Sequence, residues 1–302
     1  MSLRVGLTPP WDLARLAPDE QRARMAAIAD AGIDHVFTAD HVSFIDGSGT
    51  DGLIRLAALS GLEPRLDLYL GVYLLALRHP MVVARQIATL AESAPGRLTV
   101  GVGVGGEDRH EFEVCGVDPK TRGRRTDVSL DLVRRLLAGE TVDGDGEFFD
   151  IEAGSIKPSP NPAVPFIVGG RSNAALQRAG ALGDGWLATW CSPRRFREGL
   201  DIVESLGADR SVGWQHGMQL WAGIGPNPAA GKPHVAERMF EFYKLDFEAF
   251  AKYTPVGNAE DIAEFLMPYV EAGATTINLS ACAASREEEI ETIGEVGRLL
   301  NR

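Results

Sequence analysis

Asp40 and His41 stand side by side at the end of residues 35–39, an apolar run of the kind that forms a buried strand. An acid beside an imidazole suits proton transfer: one group orients by hydrogen bonding, and the imidazole, which titrates near neutral pH, carries the proton. The same two residues also read as the cap of the following segment and an ordinary loop histidine. A second candidate is Gly101-Val102-Gly103-Val104-Gly105-Gly106. It matches G-x-G-x-x-G, but a dinucleotide fingerprint needs a helix opening at the glycines, and here the charged run Glu107-Asp108-Arg109-His110-Glu111 follows. Two readings stay open: a backbone around Gly103 that lets a flat ligand approach closely, or a tight turn. Glu107, Asp108 and Glu111 themselves read either as paired carboxylates or as a solvated charge cluster. The third candidate is Gly169-Gly170-Arg171-Ser172, between an apolar run and a helical pattern. Bare N–H groups and the helix dipole at such a turn accommodate a phosphate, and Arg171 adds a charge-assisted contact. Ser172 either caps the helix or turns its hydroxyl to the phosphate. Thr189 ends the next strand-like run, and two adjacent turns can share one phosphate.

Other chemistries find little in the chain. There is no G-x-S-x-G, no H-E-x-x-H and no cysteine pair at zinc spacing, so no metal site is expected. His79, His110, His216 and His234 are scattered, and Trp186 and Trp190 read as packing residues. The formal net charge of -12 opposes sequence-independent nucleic-acid binding and attachment to an anionic membrane surface. No apolar run approaches the roughly 20 residues of a membrane span, and the first residues lack a signal-peptide layout. Cys115, Cys191 and Cys282, odd in number and widely spaced, make no disulfide framework and point to the cytoplasm.

The elements that must position these residues alternate in type. Strand-like runs are expected at 3–8, 35–39, 66–75, 98–103, 166–168, 185–189, 214–224 and 275–279. Helical patterns are expected at 18–31, from about 51, at 80–93, 121–137 and 172–182, from about 193, and at 259–272 and 287–300. Residues 143–162, rich in Gly and Pro, read as a hairpin-like insertion and loop, and 225–257 as a second insertion, helical in its latter part. Eight strand–helix pairs imply an α/β protein with a parallel sheet. In a chain of 302 residues this favours a closed (β/α)8 TIM barrel, one domain over 1–302, with insertions after strand 4 and strand 7. In such a barrel the strand C-termini face the active site, which is where Asp40, Gly103, Gly169 and Thr189 fall.

These residues, in this order, resemble the bacterial luciferase-like superfamily, and within it the deazaflavin (coenzyme F420)-dependent oxidoreductases. The likeness also takes in Arg78-His79-Pro80, Gly183-Asp184-Gly185-Trp186, Tyr253-Thr254-Pro255-Val256-Gly257 and Tyr269-Val270-Glu271-Ala272-Gly273. The resemblance implies a cofactor across the C-terminal mouth, with Asp40 against its ring and His41 moving the substrate proton. It also implies a bulged third strand with a non-prolyl cis peptide near Tyr73 and Leu74, a ring lined by Gly103, and a phosphate at Gly169, Gly170, Arg171, Ser172 and Thr189. The implied activity is hydride transfer between coenzyme F420 and a small organic substrate. The alternatives are an FMN-dependent monooxygenase, a cofactor-independent barrel hydrolase using Glu107 and Asp108, and a barrel that binds cofactor without catalysis. Family members are often homodimers, and residues 240–250 are either an interface or a packing segment. Sugar-phosphate dehydrogenases of this branch carry a Glu, a Lys and an aromatic residue where this chain has Gly106, Ser192 and Ile45, so that substrate is not expected.

Overall fold

A computed structural model describes residues 2–106 and 108–302. Eight parallel strands close into a barrel in the order β1 (Arg4–Leu7), β2 (His35–Thr38), β5 (Asp67–Leu74), β6 (Leu98–Gly103), β7 (Phe166–Gly169), β8 (Gly185–Ala188), β9 (Gly217–Ile224) and β11 (Thr276–Cys282). β11 pairs back onto β1, with Arg4 opposite Thr276, and β8 onto β9. The strands β2, β7 and β8 are buried at every residue, because helices cover the sheet outside and side chains fill it inside. This is the (β/α)8 barrel expected from the alternation.

The outer helices are α1 (Pro18–Asp30), α2 (Gly52–Ser60), α3 (Pro80–Ser93), α5 (Arg122–Leu137), α6 (Asn173–Leu182), α7 (Pro193–Leu206), α9 (Ala259–Glu271) and α10 (Arg286–Leu300). Their starts follow local rules. Asp51, Ser172, Ser192, Asn258 and Ser285 cap α2, α6, α7, α9 and α10, each accepting from an N–H in the first turn. α3 shows why such helices lie on the sheet: Val83, Ala84, Ile87, Leu90 and Ala91, at helical spacing, are buried, while Val82, on the other face, is exposed.

Three excursions leave the barrel at its C-terminal end. After β2 comes the antiparallel hairpin of β3 (His41–Phe44) and β4 (Ser48–Thr50), where the sequence suggested only a loop before a helix. After β6 comes a loop with the short α4 (His110–Val114). After β9 come α8 (Pro228–Tyr243), two 3-10 turns and β10 (Val256–Gly257), which pairs with β9. In the stretch at 143–162, which follows α5, Gly154 forms an isolated antiparallel bridge to Val142 just before it. Strand seven starts at Gly217 rather than at residue 214, and just before it Trp214 stacks on His216. Phe247 and Phe250 are buried against Trp221 and Met239 and pin residues 240–250 to the barrel, while Phe240 and Leu245 are exposed. No helix among the described residues is long and apolar enough to cross a membrane.

Candidate active site

The strand C-termini surround a cavity of about 520 Å³, within the range of small-molecule sites. Its floor is the β5 bulge. The ladder to β6 runs in register to Leu70 and resumes at Tyr73, and the Gly71–Val72 peptide between them is cis. The non-prolyl cis bond expected near Tyr73 and Leu74 thus lies two residues earlier. Leu74 lines the cavity, but Tyr73 faces away: it is buried, with the Arg78 guanidinium 4.3 Å from its ring centre. Val72 takes the central place. A Cβ on Gly103 would sit 2.4 Å from Val72 Cγ2, and one on Gly169 would sit 2.8 Å from Val72 Cγ1. These two glycines are required because they make room for Val72 on the cavity floor.

A polar chain holds the bulge from below. Gln219 Nε2 donates to the Gly71 carbonyl at 2.8 Å, Asn278 Nδ2 to Gln219 Oε1 at 3.3 Å, and Asn278 Oδ1 lies 2.6 Å from His35 Nε2. Burial pushes His35 down to about 3, so its ring is neutral and donates through Nε2. His35 and Asn278 come from strands that are not neighbours, so this chain crosses the barrel interior.

Asp40 and His41, adjacent in sequence, have separate partners. The Asp40 carboxylate is 1% exposed and accepts four hydrogen bonds: from Gly52 N (3.0 Å) and Arg78 Nη2 (2.9 Å) on Oδ1, and from Leu74 N (3.0 Å) and Arg78 Nη1 (2.7 Å) on Oδ2. Burial pushes this carboxyl up, opposed by the Arg78 charge and the two backbone N–H groups. All four lone-pair sites are taken. These bonds tie β2, α2 and the β5 bulge together, none of them runs to His41, and Asp40 itself lines the cavity. Arg78 also reaches Asp51 at 3.2 Å.

The partner of His41 is Glu111. His41 Nδ1 lies 3.2 and 3.1 Å from the two Glu111 oxygens, and Glu111 Oε1 also accepts from Val42 N (2.7 Å) and Ser43 N (3.2 Å). Glu111 is 1% exposed. Burial alone would push it up; the His41 hydrogen bond and the two amides outweigh this and hold it below its ordinary value. An Nδ1–H donated to a carboxylate leaves Nε2 as the free lone pair, and His41 lines the cavity. Asp108 is likewise spent on structure, accepting from Ile45 N (2.7 Å) and His110 N (2.9 Å). Glu107, the other carboxylate of the hydrolase reading, lies outside the described residues.

Opposite this charged rim, Gly169, Gly170 and Thr189 line the cavity. Gly170 has φ 128° and its carbonyl accepts from Trp186 Nε1 at 2.7 Å, so Trp186 is a packing residue that shapes the turn. Ser172 is the cap of α6 rather than a cavity residue, its hydroxyl accepting from Ala175 N at 3.2 Å. Arg171 also stands off the cavity wall, its guanidinium 5.3 Å from the Trp190 ring centre. Over the top, Phe44 of the hairpin packs 4.2 Å from His41 and 5.2 Å from Phe242 of α8 (centroid distances).

The family model of luciferase-like monooxygenase matches residues 6–243, a span that takes in every site residue named so far except Asn278. The chain belongs to the luciferase-like monooxygenase family. An F420-dependent glucose-6-phosphate dehydrogenase of Beutenbergia cavernae is 35% identical over 181 residues, 58% of this chain and 54% of that protein. The chain spans about half the length of the curated relatives it matches. Two solved structures share the fold. An F420-dependent secondary alcohol dehydrogenase in complex with an F420-acetone adduct superposes with a TM-score of 0.83 at 18% identity, covering 100% of both chains. The oxygenating constituent of 3,6-diketocamphane monooxygenase from Pseudomonas putida, in complex with FMN, gives 0.77 at 16%, covering 99% of this chain and 98% of that one.

Within this luciferase-like barrel, the structure gathers Asp40, His41, Leu74, Gly103, Gly169, Gly170 and Thr189 around one cavity, and leaves Tyr73, Arg171 and Ser172 off its wall. Sequence reasoning named Glu111 only among the carboxylates of a charged run and missed its pairing with His41, and it passed over Gln219, a lone polar residue in an apolar strand. It also passed over the aromatic cover from Phe44 and Phe242. Only the polar interruption of a buried strand at Gln219 and Asn278 was a usable signal. A second depression, between α9 and α10, is bordered by Glu260, Glu264 and Glu271 on the outer layer, away from the strand C-termini.

Proposed function

We propose that the protein is an oxidoreductase that transfers a hydride between a deazaflavin, coenzyme F420, and a small organic substrate. The observation that carries this reading is the His41–Glu111 pair on the wall of a cavity floored by Val72. It joins an oriented proton carrier to a cradle kept open by glycines. The cradle fits a flat ring: a side chain at Gly103 or Gly169 would overlap Val72. In this reading Val72 and Gly103 back the ring, while Gly169, Gly170 and Thr189 hold the phosphate, with Arg171 adding charge from outside the wall. When bound, the deazaflavin supplies a ring carbon that gives or takes a hydride.

The chain's own work is orientation and proton movement. Glu111 fixes the His41 tautomer, so Nε2 takes the hydroxyl proton when the substrate carbon loses hydride. In the reverse direction Nε2–H returns that proton to the carbonyl oxygen, so charge balances either way. Phe44 and Phe242 keep water from this locus. Asp40 and Arg78 hold the β5 bulge and act through position alone. The partner is a small molecule. Three free cysteines suit a reducing cytoplasm, and the net charge of -12 suits a protein that engages neither nucleic acid nor anionic membranes. The exposed Phe240 and Leu245 are the natural contacts for a homodimer.

The test is anaerobic turnover. The protein is mixed with oxidised or reduced F420 and a panel of alcohols, ketones and aldehydes. Protein-dependent change of the F420 redox state is expected. Oxygen consumption with reduced FMN, and no F420 turnover, would move the chain to the monooxygenase reading, which the family supports equally well by fold.

A further inference from the structure

Arg55, in the first turn of α2, lines the cavity and is its only lysine or arginine among the described lining residues. Among the described residues its one side-chain hydrogen bond runs from Nη2 to the Pro10 carbonyl at 3.3 Å, and no carboxylate pairs with it. Burial pushes Arg55 down from its ordinary value with no opposing acid. A half-buried guanidinium with unused donors at a cavity wall has the chemistry to hold an anion.

The position of Arg55 separates it from the expected cofactor phosphate. Around the barrel, β1 stands four strands from β7, and β2 four strands from β8. Pro10 follows β1 and Arg55 follows β2, whereas Gly169–Gly170 and Thr189 follow β7 and β8. The two rims are diametrically opposed, so a ligand phosphate held at one leaves Arg55 for a second molecule. His41, Phe44 and Phe242 line the same cavity as Arg55 and give it a largely aromatic wall, with the His41 and Phe242 ring centroids 5.9 Å apart.

We infer that Arg55 binds a carboxylate on the substrate, and that the substrate class is organic acids with an apolar or aromatic body, the acid group on Arg55 and the reacting carbon near His41. This rests on the hydride-transfer reading only for the reaction, not for the binding. The test is calorimetry on the protein without cofactor, using 3-phenylpropanoate, cinnamate and octanoate, each against its neutral amide. At least one acid should bind about tenfold tighter than its amide, the scale of one charge-assisted bond. Arg55→Gln should erase that preference while leaving amide affinity unchanged, and Arg55→Lys should restore part of it. No acid preferred over its amide in wild type, or amide affinity lost equally in Arg55→Gln, overturns the proposal. A parallel F420 titration separates the two sources of carboxylate. If Arg55→Gln weakens F420 as much as the acids, Arg55 serves the cofactor's acidic arm and the proposal falls. If the acids bind through Arg55 and F420 does not bind at all, the acid site stands and the cofactor reading falls.

Discussion

Across the barrel mouth two rims face each other and are built differently. After β7 and β8 the cavity meets Gly169, Gly170 and Thr189, which offer backbone and one hydroxyl. After β2 it meets Asp40 and His41, whose charges are interlocked with Arg78 and Glu111, each pair joining parts of the chain far apart in sequence. The first rim is cheap to build and suits binding. The second removes charges from water and holds them by mutual hydrogen bonds, which is costly to disturb and suits a proton carrier that must not wander.

The contrast can be broken most severely at Arg78. Arg78→Ala leaves the Asp40 carboxylate buried without its cation and should cost about 3–5 kcal/mol of stability, read from a urea midpoint. A loss under about 1 kcal/mol would mean that the charged rim is not a structural lattice. Acid should act next. His35 is held at about 3 and His216 at about 4 by burial, so the unfolded chain takes up protons below pH 6.5 that the folded chain refuses. Stability should fall as pH drops from 6.5 towards 4, by roughly 3 kcal/mol per histidine. His216→Gln should flatten that slope. Glu111, also held below its ordinary value, acts in the same sense at lower pH: its share is present above the usual carboxylate range and is lost as pH falls through its lowered value.

At the junction of the rims, Gly103→Ala should displace Val72 and cost about 1–3 kcal/mol, with cofactor affinity falling in step. The smallest effect belongs to the backbone rim. Thr189→Val should leave the urea midpoint unchanged within about 0.5 kcal/mol while weakening cofactor binding about fivefold, the worth of one hydrogen bond. Equal stability losses at Thr189 and Arg78 would erase the distinction between the rims.

What the sequence disclosed follows the same division. The barrel could be read because strand and helix periodicities are local, and the Gly169–Gly170 turn because glycines before a cap are neighbours in the chain. The Ser172 cap, left open between helix and phosphate, resolved to the helix because its hydroxyl meets Ala175 N. Asp40 and His41 were found but wrongly coupled: adjacency places two side chains on different sides of a chain leaving a strand, and their partners come from residues 78 and 111. The β5 bulge was placed two residues late because nothing local distinguishes Gly71–Val72 from Tyr73–Leu74. The fit of Val72 over Gly103 and Gly169 requires three strands in register.

The central claim is that this cavity holds a deazaflavin. The direct measurement is an equilibrium titration of the purified protein with coenzyme F420 and, separately, with FMN, followed by fluorescence. Selective, micromolar or tighter binding of F420 is the result expected. Selective binding of FMN, or of neither, would contradict it.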